Sequence, residues 1–278
     1  MRRAALTGAW QVAGLSVSLS LAACAGPACP AQLHTDPLRV LADHTSHVSG
    51  LRTLRAEAKV DQRGPEGRVR GKVMMFLERP DHVRFDAVTQ FGPALVLTSD
   101  GERFALSDFK ADRFLTGPAC ARNIARMIGV ALSAPDVVSV LFGDTPQLVT
   151  AQPTLQCSNK GGYRVDQHAP GGETQQLEFK VHDDDFKKPP AEQRLQLVRA
   201  ERFDAKGKAQ WRVTYDDYRP VQGGVKLPYR VHVEDLVHDA DAVLRFDEID
   251  VNVAIPAGAF SQSPRAGLSI EDVTCEGW

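Results

Sequence analysis

Between Gly67 and Asp108, apolar and polar residues alternate with period two, interrupted only by short turn-forming groups. No other feature of the chain constrains its fold so tightly. Val69, Gly71, Val73, Met75 and Leu77 fall on one side of the first run, with Arg68, Arg70, Lys72, Met74 and Phe76 on the other. Glu78-Arg79-Pro80-Asp81 marks a turn, after which Val83, Phe85 and Ala87 alternate with His82, Arg84 and Asp86. Leu95 and Leu97 carry a third strand, Asp100-Gly101 is a hairpin signal, and Phe104 and Leu106 carry a fourth. Successive side chains of a strand point to opposite faces, so the run predicts a β-meander with one apolar face.

A helical insert follows. Gly117-Pro118 opens it, and Ile124, Met127, Ile128 and Leu132 form one apolar stripe. Ser133-Ala134-Pro135-Asp136 has the form of a capping box with Pro in the first turn. Val137, Val138, Val140, Leu141 and Phe142 then lead to Gly143, which stops the helix. Strand-like sequence resumes near Tyr163 and runs to Ile255, with turns at Gly171-Gly172, Lys206-Gly207, Gly223-Gly224 and His238-Asp239-Ala240-Asp241. Residues 36–54 predict a helix capped by Asp36 before Pro37, with Leu38, Leu41, Val48 and Leu51 as its apolar positions. The expected fold is therefore mainly β: a curled antiparallel sheet, an open half-barrel, plugged by the N-terminal helix and covered by a short helical lid at about residues 118–143.

The start of the chain reads differently. Arg2 and Arg3 precede an apolar run from Ala4 to Leu21, which ends in Leu21-Ala22-Ala23-Cys24. Residues 1–23 are expected to be a secretory leader. Residues 24–36, rich in Pro and small side chains, read as a tether, which leaves 37–278 as a single domain. The 33 Lys and Arg nearly balance the 35 Asp and Glu, so no basic patch points to nucleic acid. Cys29, Cys120, Cys157 and Cys275 can form two disulfides in an oxidising compartment. Three pairings are open. Cys120 with Cys157, which brackets the insert, is the favoured one.

Residues arranged for catalysis are hard to find. There is no nucleophile elbow, phosphate-binding glycine loop or HExxH helix. Neighbouring acids such as Asp216-Asp217 and Glu234-Asp235 point to opposite faces of their strands and cannot share a substrate. His44 and His47 read as solvated positions of the N-terminal helix rather than metal ligands. His182-Asp183-Asp184-Asp185 lacks the ligand spacing of a calcium loop and reads as a solvated loop. A binding protein without catalytic residues, metal or cofactor is expected, not an enzyme.

Several blocks, in order, carry a family likeness. A helix leads into a strand near Leu54–Val60. The hairpin RPDHVRFDAV is followed by a short loop with Phe91-Gly92, and the apolar insert ends in Val140-Leu141-Phe142-Gly143. Leu227-Pro228 opens a late strand, and Asn252-Val253-Ala254-Ile255-Pro256 with Phe260 closes the domain. This order resembles the lipoprotein-localisation family of LolA and LolB, and LolB more closely. Leu-Ala-Ala-Cys resembles the bacterial lipobox, which implies cleavage before Cys24, acylation of that residue and membrane anchoring through it. Ala25 stands where an acidic residue would signal inner-membrane retention, which implies the periplasmic face of the outer membrane.

The resemblance further implies an apolar cavity for acyl chains of lipidated proteins, received from a periplasmic carrier protein and released into the membrane. Val73, Met75, Val83, Phe85, Leu95 and Leu97 would line the cavity. Ile124, Met127, Ile128 and Val138 would form the lid's inner face. Phe91, before Gly92, takes the place of an exposed Leu in the family's membrane-insertion loop. Three features depart from the family: extra strand-like sequence at about 144–230, the four cysteines, and a less aromatic cavity. The alternative is a structural or sensory lipoprotein of the same fold that binds a protein or glycan partner, its cavity filled by its own side chains.

Overall fold

The computed structural model describes residues 29–65, 67–146, 148, 152–158 and 160–276. The expected leader, Cys24 and the first residues of the tether lie outside the described residues. Helix α1 (Pro37–Val48) leads into a meander of six strands: β1 (Thr53–Gly64), β2 (Gly67–Glu78), β3 (His82–Thr89), β4 (Gly92–Asp100), β5 (Arg103–Asp108) and β6 (Arg113–Pro118). Two helices follow, α2 (Ala121–Ile128) and α3 (Ala134–Leu141). A second meander comprises β7 (Thr154–Cys157), β8 (Gly162–His168), β9 (Thr174–Val181), β10 (Leu195–Phe203), β11 (Ala209–Pro220), β12 (Lys226–Asp235) and β13 (Ala240–Val251), and β14 (Ser269–Asp272) closes the chain. All belong to one 14-stranded sheet in the order β14-β6-β5-β4-β3-β2-β1-β13-β12-β11-β10-β9-β8-β7. The two meanders join where β1 pairs with β13, and β14 and β7 remain the free edges. The sheet is open and curled, as the alternation predicts.

That alternation sets the faces. Leu54, Ala56 and Ala58 of β1 turn inward with Met75, Leu77, Val83, Phe85 and Leu97 of the neighbouring strands. On the opposite face Arg55 pairs with Asp250 and Lys59 with Asp247 across strands. Such exposed pairs contribute about 0–1 kcal/mol each, so the inward face supplies the stability. Val69 departs from expectation: it is 65% exposed, because the tip of the β1–β2 hairpin runs past the helices that cover the rest of the inner face.

Helix α1 starts as expected, with the Asp36 carboxylate accepting from the Leu38 N–H and Pro37 in the first turn. Its buried face is different. Val40, His44 and Val48 turn inward and Leu38 is 60% exposed. His44 is therefore not solvated. It lies edge-on to Phe179, with Nε2 3.7 Å from the Asp144 carboxylate. Burial pushes its pKa down, against the opposing pull of Asp144. Arg79 also reaches Asp144, at 3.1 Å, and the Tyr215 hydroxyl donates to the Asp144 carbonyl. One polar node thus joins α1, the β2–β3 turn, the chain leaving α3, and β11. His47, by contrast, is exposed.

The disulfides correct the favoured pairing. Cys120 does not pair with Cys157; the bonds are Cys29–Cys157 and Cys120–Cys275. The reason lies in strand order. Cys157 ends β7 at one edge of the sheet, whereas Cys120 follows β6 beside the opposite edge, where β14 adds in parallel. Each bond fastens one edge. Residues 29–34, within the stretch expected to be a tether, are seated on the fold. Besides the disulfide, the Ala31 N–H donates to the Phe186 carbonyl, Gln193 donates to the Gln32 carbonyl, and the His34 N–H donates to the Tyr163 hydroxyl. The loop at His182 is also less solvated than expected. Asp183 and Asp184 are exposed, but Asp185 is fully buried and receives hydrogen bonds from Arg194. These bonds hold the Asp185 carboxyl well below the ordinary carboxylate range.

Between β13 and β14 the chain crosses the outer face of the first meander. Gln262 donates to the carbonyls of Val96 and Ala105, and Arg84 donates to the Ala259 carbonyl. Replacing Cys275 with Ser should release this strap and β14. Equilibrium denaturation should show a loss of about 2–4 kcal/mol, with faster amide exchange confined to β14 and β6. Unchanged exchange in β6 would mean that the disulfide does not hold this edge.

Candidate apolar site between lid and sheet

Helices α2 and α3 form a hairpin laid into the inner face, and their ends show why it stays there. Gly129 ends α2 at φ 73°, its N–H bonded to the Ala125 carbonyl, in the left-handed region where glycine is least strained. A Cβ at that position would collide with the side chain of Gln62 on β1, so the tip of the lid sits directly on the sheet. The Ser133 hydroxyl accepts from the Asp136 N–H and donates to the Asp136 carboxylate at 2.7 Å, so Ser133 caps α3 while the carboxylate bonds the hydroxyl rather than the Ser133 N–H of a full capping box. Gly143, at φ 68°, packs so closely on Pro228 that a Cβ would lie 2.8 Å from the ring.

Between the lid tip and the sheet lies a pocket with about 590 Å³ of atom-free space, its opening to solvent included. Of its 15 lining residues only Gln62 is polar. Of the residues expected to line a cavity, Val73, Met75 and Phe85 do so from the sheet, and Met127 and Ile128 do so from the lid. Val83, Leu97, Ile124 and Val138 do not: each is 0% exposed within the packed core, and Leu95 also packs against the core away from the pocket. They lie on the correct face but under the roots of the lid, where side chains meet with no gap.

Other lining residues escaped the sequence reading. Val60 of β1, Val233 of β12 and Ala242 and Leu244 of β13 complete the sheet side, and Val130 and Leu132 of the α2–α3 connection, with Val137, Val140 and Leu141 of α3, complete the lid side. The signal for the first group is present in the alternation Ala56-Ala58-Val60 and Val231-Val233. Their place beside β2 becomes visible only once β13 is known to pair with β1.

Phe91 stands apart from the pocket, at the tip of the β3–β4 hairpin, and is 90% exposed. The Thr89 hydroxyl accepts from the Phe91 N–H and donates to the Gly92 carbonyl, which fixes the turn while the ring projects outward. Alternate turns of a meander share a rim, so the β1–β2, β3–β4 and β12–β13 turns lie on one rim of the sheet. The pocket's residues from β1, β12 and β13 belong to the halves of those strands nearest that rim.

On the same rim a carboxylate fastens the lid. Asp235, at the end of β12, accepts from the Ala131 N–H at 3.1 Å and pairs with the His238 ring at 2.9 Å, and it also accepts from the N–H groups of Val237 and His238. Burial works against its charge, but the bonds from His238 and from the Ala131 amide outweigh that cost and hold its pKa below 3.8. A carboxyl depressed by folding stabilises the protein above its unfolded pKa, and that contribution is lost as pH falls through the folded value. Acidification below about pH 4 should therefore loosen the lid tip before the core. Asp235→Ala should loosen it at neutral pH, raising amide exchange at residues 130–132 and abolishing its acid dependence. Exchange at these amides that is equal in wild type and variant at every pH would exclude the latch.

No family model and no curated protein matches the sequence. Solved structures do match. A LolA superfamily protein from Nitrosomonas europaea superposes with a TM-score of 0.53 at 10% identity, covering 83% of this chain and 99% of that one. A domain thought to sort outer membrane lipoproteins, from Vibrio parahaemolyticus, gives 0.52 at 9% identity, covering 80% and 95%. A DUF1329 family protein from Desulfovibrio piger gives 0.55 at 12% identity, covering 82% and 98%. The chain has a LolA/LolB-like fold.

Proposed function

We propose that this chain is an outer-membrane lipoprotein that holds acyl chains in the pocket between lid and sheet. Anchored through Cys24 on the periplasmic side, it takes lipidated proteins from a periplasmic carrier and passes them to the membrane. The observation that carries this reading is the pocket itself, almost wholly apolar and roofed by a helical hairpin whose tip rests on the sheet at Gly129 and is held by the Asp235 carboxylate. The likeness to LolA-type structures supports the same ligand class. Transfer between apolar phases needs no nucleotide, since each methylene kept from water contributes about 0.8 kcal/mol. The catalytic constellations sought in the sequence are not needed for such a function.

Phe91 gives the reading its direction. A large exposed apolar side chain on the rim nearest the pocket gains about 1.5–3 kcal/mol on leaving water, which suits a finger that enters the bilayer during delivery.

Native mass spectrometry of the protein mixed with a triacylated peptide should show a one-to-one complex. Met127→Glu, which puts a charge on a lining position outside the packed core, should abolish it. Phe91→Glu should retain the complex yet fail to deliver the peptide to vesicles. No complex with the wild-type chain would sink the carrier reading and favour a partner-binding lipoprotein of the same fold.

A further inference from the structure

A second hollow opens elsewhere on the sheet, among β1, β11, β12 and β13. It contains about 660 Å³ of atom-free space, its open side included, and is lined by Lys59, Arg219, Arg230 and Arg245 together with Tyr229, Phe246, Asp217 and Asp247. Four cations face two carboxylates. Strand register makes the concentration of charge sharper. Lys72, Lys59, Arg245 and Arg230 stand directly opposite one another on β2, β1, β13 and β12. Like charges in directly opposed positions destabilise a sheet; Glu57 compensates Lys72 and Asp247 compensates Lys59, so the least compensated charge of the row lies at Arg245 and Arg230.

The hollow has two further marks. Asp247 is the extra residue of a β-bulge, where β1 shifts register between Glu57 and Ala58 against β13. Asp217, on β11, has φ 56°, in the left-handed region. Bulges re-aim side chains next to functional sites, and here the extra residue is a carboxylate; with Asp217 it positions cations at the rim of the hollow. Asp247 holds the Lys59 ammonium at 2.7 Å, and Asp217 grips the Arg219 guanidinium, which also lies 4.6 Å above the Tyr229 ring. Arg230 has only a 3.6 Å contact with exposed Asp216. Arg245, between them, has no carboxylate within ion-pair distance among the described residues.

We propose that this hollow is a binding site for a phosphate-bearing anion. Arg245 and Arg230 grip the phosphate oxygens, Lys59 adds a third positive charge, and Tyr229 flanks the group that carries the phosphate. Two arginines suit this role, because a planar guanidinium presents paired N–H donors to two oxygens at once. The site is separate from the acyl pocket and does not depend on the carrier reading.

The test is calorimetric titration of the full chain in a non-ionic detergent at about 0.15 M salt, where charges more than about 8 Å apart are largely screened. The probes are inorganic phosphate and monomeric dihexanoyl phosphatidylglycerol, with dihexanoyl phosphatidylcholine as the zwitterionic control. Saturable one-site binding of phosphate, weakened at least tenfold by Arg245→Gln combined with Arg230→Gln, is expected. Phosphatidylglycerol binding more tightly than phosphate, with the same sensitivity, identifies the anion as a lipid headgroup. Phosphate binding alone identifies a soluble anion. These side chains are exposed, and a circular dichroism melt confirms that the double variant is folded. The absence of saturable binding by either anion, or equal binding by the double variant, overturns the proposal.

Discussion

An antiparallel sheet that is curled but not closed has one apolar face that cannot be left to water. Everything distinctive in this structure follows from covering that face. In a closed barrel, the strands bury their own interior and pair every edge. Here fourteen strands stop short of closure, so α1 and the α2–α3 hairpin must lie inside the curl. The cover fits tightly at its roots, where Ile124 and Val138 pack with Leu97 and Val83 at zero exposure, and loosely at its tip, where the pocket remains.

The two edges of the sheet are treated alike although they are remote in sequence. Unpaired strand edges invite pairing with other chains. At one edge β7 is only four residues long and its last residue is bonded to Cys29. At the other, β14 lies parallel on β6 and the following turn is bonded to the start of α2. Each disulfide joins segments more than 120 residues apart, separated by 128 and 155 positions, so neither could be inferred from local spacing.

The period-two runs were legible because a half-buried strand leaves its mark residue by residue, and β2 to β5 fall where the alternation and turns place them. Asp36, Ser133 and Gly143 were equally readable, since caps act within a few residues of themselves. The division of inward residues into core and pocket was not. Val73 and Leu97 carry the same pattern, and only the seating of the lid makes one a lining residue and the other core. His44 misled for a related reason. A polar residue on a helix is read as solvated until its partner is known, and Asp144 lies one hundred positions away on the chain that leaves the lid. The Asp235 latch and the cation row depend on strand pairing in the same manner.

The seat of residues 29–34 has a further geometric meaning. Under the proposed anchoring at Cys24, five peptide bonds separate the acylated residue from Cys29 and its disulfide. Five peptide steps reach about 18 Å at full stretch, little more than half the thickness of a bilayer's hydrocarbon core. The mooring point belongs to the rim of the β7–β8 turn, and Phe91 belongs to the opposite rim. A domain on so short a line cannot stand upright on its anchor and still dip that ring into the same bilayer. It would have to recline, with the axis of the half-barrel along the membrane plane and both rims near the headgroups.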